Sequence, residues 1–367
     1  MVSGVGSYVL NLSKCLAKKG HHVEVYSSNL FKEGSRDTVP KYNVIEGINV
    51  HRFKVYKIPR VYSGYLPSQA LLQSLLSTNA DVIHAHSYVY FPTYVSAIAK
   101  KMMNTVFVLT THQPPVESAS RNRLLMFLYN SSVGLFALKT ADGVIAVTRS
   151  EKSFLQSHVG VSPSKIKVIP EGVDLQAFYP ERKKAEKRVI ILFVGRLSKE
   201  KGLRYLVEAI PNVIAIYPRA QFMLVGEDCG VKHELLKLAD ELEVKNRILF
   251  LEPRFGSELS KIYRISTIFV LPSLYETFGL VVLEAMASGI PVVTTKVGGV
   301  ETLIEHGFNG LLVSPRNPSA LAESIVTLLS KKSLYKRIRK QAIETSKTYS
   351  WNKIAEKIEA CYESLLT

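Results

Sequence analysis

Short apolar runs rich in Val, Ile, Leu and Phe alternate along the chain with longer segments in which apolar side chains return every three or four positions. The first pattern is that of strands covered on both faces, the second that of amphipathic helices. In the first half the pattern predicts strands over Val23–Ser27, Asp81–His86, Val106–Thr111, Gly143–Val147 and Lys167–Ile169. Helices are expected over Phe91–Lys101 and Ser7–Lys19, where Val9, Leu12 and Leu16 share a face and Gly20 stops the run. A charged stretch from Pro180 to Lys187 then breaks the alternation and is the expected linker. Beyond it the pattern predicts strands over Val189–Val194, Gln221–Val225, Ile248–Leu251, Ile268–Leu271 and Pro291–Thr295, and helices over Leu203–Ile216, Lys232–Leu242 and Gly279–Ser288. Alternation of this kind calls for α/β architecture, parallel sheets with helices on both faces.

The length of 367 residues suits two domains of roughly 170–190 residues better than one core. We expect one doubly wound domain over 1–180 and a second over 181–347. In the final segment, 348–367, Trp351, Ile354, Ile358, Tyr362 and Leu365 are spaced to pack back onto the first domain. One position is anomalous. A glycine turn such as Gly4-Val5-Gly6 should follow a buried strand, yet only Met1, Val2 and Ser3 precede it. With 47% hydrophobic and 21% charged residues the chain can bury large cores and falls outside the disordered class.

No run approaches the roughly 18 apolar residues of a membrane span, and no secretory-type leader is evident, which points to the cytoplasm. The segment from Arg121 to Lys139 is apolar with basic ends, a pattern that serves either a buried crossover helix or docking on the inner face of an anionic membrane. Cys15, Cys229 and Cys361 lie too far apart to suggest disulfides or a zinc site and read as small core residues. The formal charge of +16 asks for an anionic partner. Its densest run, Lys331 to Lys340, reads as the solvated face of a surface helix.

Candidate chemistry gathers at strand ends. After the strand ending at Leu271, a loop carries Glu276, and a helix starting near Phe278 and Gly279 holds Glu284 about one and a half turns inside an apolar stretch. A helix start offers unpaired amides and a positive dipole end to phosphate or sugar oxygens. A carboxylate in apolar surroundings needs a hydrogen-bonding partner, either a vicinal diol such as ribose or a structural Arg or Lys. A second loop, Gly195-Arg196 through Lys201-Gly202, carries two cations able to clamp a diphosphate. Further glycine turns follow at Val225-Gly226 and Gly298-Gly299, and sheet-edge turns of this kind favour a nucleotide crevice. In the first half, His84 and His86 close one strand and Thr110-Thr111-His112 another. Strand-end histidines are either structural or catalytic; a zinc site at His84 and His86 would need further ligands that the sequence does not place nearby.

Together Gly4-Val5-Gly6, His84-x-His86, Thr110 to His112, Gly195 to Gly202 and above all Glu276-x7-Glu284 with Phe278-Gly279-Leu280 resemble glycosyltransferase family 4, over essentially the whole chain, with lipid-directed members most similar. The resemblance implies a GT-B fold, two Rossmann-like domains facing a crevice, and retaining transfer of a sugar from a UDP- or GDP-sugar to a lipid-linked or sugar acceptor. No cofactor, no metal and no nucleic-acid partner is expected. It implies that Glu284 holds the ribose, that Glu276 with Phe278, Gly279 and Leu280 holds the transferred sugar, and that Arg196 and Lys201 bind the diphosphate beside Gly195. Gly6 would admit the first-domain helix to the phosphates, and His112 would contact the sugar near the reacting carbon. The chain departs from the family where Glu171-Gly172-Val173-Asp174 replaces Asn-Gly-Val-Asp, and where Ser3-Gly4 stands without its strand. Rival classes are a nucleotide-sugar epimerase or hydrolase on the same fold, which needs no second substrate, and a noncatalytic nucleotide or nucleic-acid binder.

Overall fold

The computed structural model describes residues 4–30, 39–57, 65–67, 69–88, 90–112, 134–181 and 189–367. The chain divides into two compact units, one of Met1–Gly172 with Trp351–Thr367, the other of Val173–Ser350. Most of the charged stretch at 182–187 and most of the amphipathic candidate at 121–139 lie outside the described residues.

The first unit opens with α1 (Gly4–Lys18) and β1 (Glu24–Ser28). Gly4-Val5-Gly6 forms the first turn of α1, and neither glycine has positive φ. A hairpin unforeseen in the sequence, β2 (Tyr42–Ile45) and β3 (Ile48–Phe53), joins β1 through parallel pairing of β1 with β3. Its turn, Glu46-Gly47, has φ of 50° and 84°, the left-handed pair a two-residue hairpin demands. A short antiparallel ribbon follows, β4 (Val55–Lys57) with β5 (Tyr65–Pro67).

The main sheet of this unit has four parallel strands in sequential order: β6 (Val82–His86), β7 (Val106–Thr110), β8 (Gly143–Ala146) and β9 (Ile166–Val168). One face is covered by α2 (Gln69–Leu76), α3 (Phe91–Met102), α4 (Leu135–Thr140) and α5 (Arg149–Ser157), whose Leu71, Leu75, Val95, Leu138 and Leu155 share a core with Phe107 and Leu109. The other core holds Tyr8, Leu12 and Leu16 of α1 with Val106, Val108 and Ile145. Trp351, Ile354, Ile358 and Cys361 of the C-terminal helix, Trp351–Leu366, complete it, because their three-to-four-residue spacing forms one apolar stripe.

The second unit is a six-stranded parallel sheet ordered β12-β11-β10-β13-β14-β15, with β10 (Ile190–Val194), β11 (Gln221–Val225), β12 (Ile248–Leu251), β13 (Ile268–Leu271), β14 (Val292–Thr295) and β15 (Leu311–Val313). Its helices are α6 (Leu203–Ile216), α7 (Lys232–Glu241), α8 (Gly256–Ile265), α9 (Leu280–Ala287), α10 (Pro318–Ser330) and α11 (Lys332–Lys347). From β10 the chain winds outward through β11 and β12, then returns to the other side of β10 at β13. That reversal is a switch point, where the loops leaving two adjacent strands splay apart and leave room for a ligand.

Candidate functional site

The loops after β10 and β13 meet at this switch point, and their backbones lock together. Leu274 N–H donates to the Glu200 carbonyl at 2.8 Å. Gly202, which leads into α6, has φ of 62°, and a Cβ there would overlap the Pro272 carbonyl oxygen. The turn after β14 closes in from the other side. Gly299 N–H donates to the Glu276 carbonyl at 3.1 Å, and a side chain on Gly299 would overlap the Thr277 carbonyl. Glycines at these turns thus let three loops pack backbone to backbone around Glu276.

Glu276 is only 8% exposed. Lys201 Nζ lies 2.6 Å from its Oε1, and Ser273 Oγ donates to the same oxygen at 2.7 Å. Among the described residues no protein group is bonded to Oε2. A carboxylate anchored through one oxygen presents the other in a fixed direction. Phe278 is buried next to it, and Gly279, at φ 95°, caps the helix that starts at Leu280, one residue later than the sequence pattern implies.

Glu284 follows inside α9. One partner that its setting demands is Tyr263 of α8, whose buried hydroxyl donates to Oε2 at 2.9 Å and also lies 3.2 Å from the Val281 carbonyl. Burial, and then the nearby Glu284 charge, hold the Tyr263 hydroxyl well above its usual pKa, so it stays a donor. Arg196 and Lys201 stand on the same loop with different partners. Lys201 is turned inward to Glu276, whereas the Arg196 side chain is 61% exposed and reaches Glu200 at 3.4 Å.

The first unit assembles a separate cluster at the ends of β6 and β7. Parallel pairing sets His86 beside Thr110 and His84 beside Val108. His84 Nδ1 lies 2.6 Å from Tyr362 Oη of the C-terminal helix, and Nε2 lies 2.7 Å from Thr110 Oγ1. His86 Nδ1 is 3.4 Å from His112 Nε2, and His112 Nδ1 is 3.4 Å from Glu171 Oε1. Tyr8 of α1 stands edge-on to both His112 and Trp351. Burial, with the His112 charge as a lesser cause, lowers the His84 pKa to about 3; His86 is also held well below the ordinary range, by burial, then by His84 and His112. The backbone is left-handed at Ser87 and His112, with φ of 75° and 46°. Among the described residues no group of three His, Cys, Asp or Glu side chains is placed to hold a metal ion. Gly6 lies inside α1.

Residues that motif reading missed hold these groups in place. Ser273 shares the loop with Glu276 and was within reach of inspection. Tyr263, in a different helix from Glu284, has no local signal. Thr148-x-x-Glu151 is a capping-box pattern. Thr148 accepts from the Glu151 amide, while the Glu151 carboxylate takes the Val147 amide and the Thr111 hydroxyl, each at 2.6 Å, fixing the residue before His112.

Residues 2–177 match the family model Glycosyltransferase Family 4, and residues 176–345 match Glycosyl transferases group 1. A D-inositol 3-phosphate glycosyltransferase of Corynebacterium glutamicum is 27% identical over 99% of this chain and 92% of its own length. Among solved structures, sucrose-phosphate synthase of Thermosynechococcus elongatus superposes with a TM-score of 0.81 at 26% identity, covering 99% of this chain and 94% of that one. The Anabaena protein HepE, solved with UDP and glucose, gives 0.79 at 23% identity, covering 99% and 97%. The two family models span residues 2–345 between them, and with two Rossmann-like units and the Glu276–Glu284 turn at a switch point, the chain belongs to glycosyltransferase family 4 and is a GT-B glycosyltransferase.

Proposed function

We propose that this glycosyltransferase transfers a sugar from a UDP- or GDP-sugar to a lipid-linked or sugar acceptor, with retention at the reacting carbon, on the cytoplasmic side of a membrane. One observation carries the donor half: at the switch point of the second unit two carboxylates are held by fixed donors, Glu276 through one oxygen by Lys201 and Ser273, and Glu284 by the buried hydroxyl of Tyr263. Anchored acceptors bind hydroxyls with little ordering cost. Glu276 is assigned to hydroxyls of the transferred sugar and Glu284 to the ribose diol. Lys201 has three protons, so it can keep Glu276 and still reach the diphosphate; Arg196, exposed and long, supplies the second cation. The amino end of α9 at Gly279 and Leu280 faces oxygens with the positive end of its dipole. In the first unit, His112 is assigned to the sugar.

In the reaction, the bond from the anomeric carbon to the diphosphate oxygen breaks, and its electron pair leaves on that oxygen. The acceptor hydroxyl oxygen bonds to the same carbon from the same face, and its proton passes to the departing phosphate. Charge developing on the leaving group is met by Arg196 and Lys201, so the chemistry does not call for a metal. The UDP in the HepE structure, a protein of the same fold, supports a nucleotide-sugar donor. A thermal-shift screen of UDP-, GDP- and ADP-sugars tests the reading. One of the UDP- or GDP-sugars is expected to stabilise the wild type and to stabilise Glu284→Ala much less. Stabilisation by none of them would sink the donor assignment. Transfer to polyprenyl phosphates or phosphoinositides, assayed with the donor so identified, then tests the acceptor.

A further inference from the structure

Between Lys331 and Lys347 stand seven cations against one carboxylate. That carboxylate, Glu344, is paired with Lys347 at 2.7 Å, and among the described residues none lies within 4.0 Å of the amino groups of Lys331, Lys332, Lys336 or Lys340. The arrangement runs against helix stability. Lys331 and Lys332 occupy the amino end of α11, where the dipole disfavours cations, and its first turn has no acid to offset them. Lys332, Lys336 and Arg339 are spaced along one face and line a groove of about 530 Å³ floored by Leu328 and Leu329 of α10. Tyr335 lies in the groove with its hydroxyl bonded to the Thr267 carbonyl at 3.0 Å, and Arg339 is held by the Gly289 carbonyl at 2.9 Å, so the groove has a hydrogen-bonded frame and exposed ammonium groups. An exposed apolar side chain adjoins it along the chain. Ile265, 41% exposed, lies two residues before Thr267, which lines the groove.

We propose that this face of the second unit docks on the headgroup layer of an anionic phospholipid bilayer, with Lys332 and Lys336 on the phosphates and the groove beside them open to the headgroups. Cations mixed with exposed apolar side chains suit a bilayer interface. A nucleic acid would use the same cations but stack its bases on open aromatic faces, and the aromatic in the groove, Tyr335, is half-buried with its hydroxyl engaged. The docking surface is independent of the donor site, so it stands or falls separately from the reaction proposed above.

Vesicle flotation of the full chain tests it, using phosphatidylcholine alone and an equimolar mixture with phosphatidylglycerol. The wild type is expected to float with the mixed vesicles only. The double variant Lys332→Gln with Lys336→Gln should lose about 30-fold in partitioning, roughly fivefold per lysine, at an unchanged melting temperature. Lys353→Gln with Lys357→Gln, two exposed lysines of the C-terminal helix, removes the same charge elsewhere and should lose little. Equal loss in both pairs would reduce the effect to net charge and overturn the proposal. So would flotation unaffected by Lys332 and Lys336, full suppression by inorganic phosphate at matched ionic strength, or lysine-dependent binding of duplex DNA without vesicle binding.

Discussion

The two units hold their polar side chains in opposite ways. In the second, Glu276 and Glu284 sit on a turn and helix that one continuous stretch of chain supplies, and each is tied by an oxygen to a donor from a neighbouring element. In the first, three imidazoles come from two strand ends and are hemmed in by Tyr8, Glu171 and Tyr362, from distant parts of the chain. Glu276 is anchored through one oxygen so that the other is presented; the histidines of the first unit are sunk so deeply that burial holds two of them neutral. An anchored acceptor suits recognition of hydroxyls, whereas a neutral buried cluster suits precise placement of the one ring, His112, that also has a carboxylate, Glu171, at 3.4 Å.

The largest effect expected from breaking this contrast is at Glu276. Glu276→Ala removes the presented oxygen and leaves Lys201 with no counter-charge, so kcat/KM should fall by about 10²–10³. Steady-state transfer at wild-type rate by a folded variant would dissolve the contrast. Next comes Gly202→Ala. The left-handed φ and the Pro272 carbonyl both oppose a methyl group, and chemical denaturation should register a loss of about 2–3 kcal/mol. A stability equal to wild type would mean that the loops around Glu276 are not locked as described.

The histidine side is probed by pH. The folded pKa of His84 is about 3 and the unfolded value about 6.5, so the unfolded chain takes up a proton that the folded one refuses. Stability is therefore complete above pH 6.5 and declines as the pH falls from there towards 3, by at most about 1.4 kcal/mol per pH unit from this group. At pH 5 the loss is about 2 kcal/mol, and His84→Gln, which does not titrate, should flatten that part of the curve. An unchanged slope would put the proton elsewhere. The smallest effect is expected at Tyr263→Phe, which keeps the ring and removes only the donor to Glu284. Donor affinity should weaken about five- to tenfold with kcat nearly unchanged. Titration calorimetry giving the wild-type affinity would show that Glu284 needs no anchor.

How much of this was legible in the sequence follows from how far apart the partners lie. The strand-to-helix turn around Glu276 was visible because its strand, loop carboxylate and capping glycine lie within a few residues of one another. The hairpin of β2 and β3 carries a local signal of its own, period-two alternation on either side of the Glu46-Gly47 turn, but its strands are short and half exposed and lack the apolar runs of the parallel strands. At Gly4-Val5-Gly6 the helix begins three residues before the Ser7 that the periodicity marked, since glycine carries no side chain to report a helical face. Cys229, taken for a core residue, is exposed, since a lone cysteine in a loop bears no pattern that reports burial.

By itself the sequence determined the two parallel α/β units, the stripe of the C-terminal helix and the glycine turns at strand ends, because periodicity and backbone freedom are properties of neighbouring residues. Tertiary structure alone decided that Tyr263 ties Glu284, that Lys201 pairs with Glu276, and that His84 meets Tyr362 across 278 positions of chain. Hydrogen bonds and burial depend on distance in space, and only the folded chain brings such partners within reach.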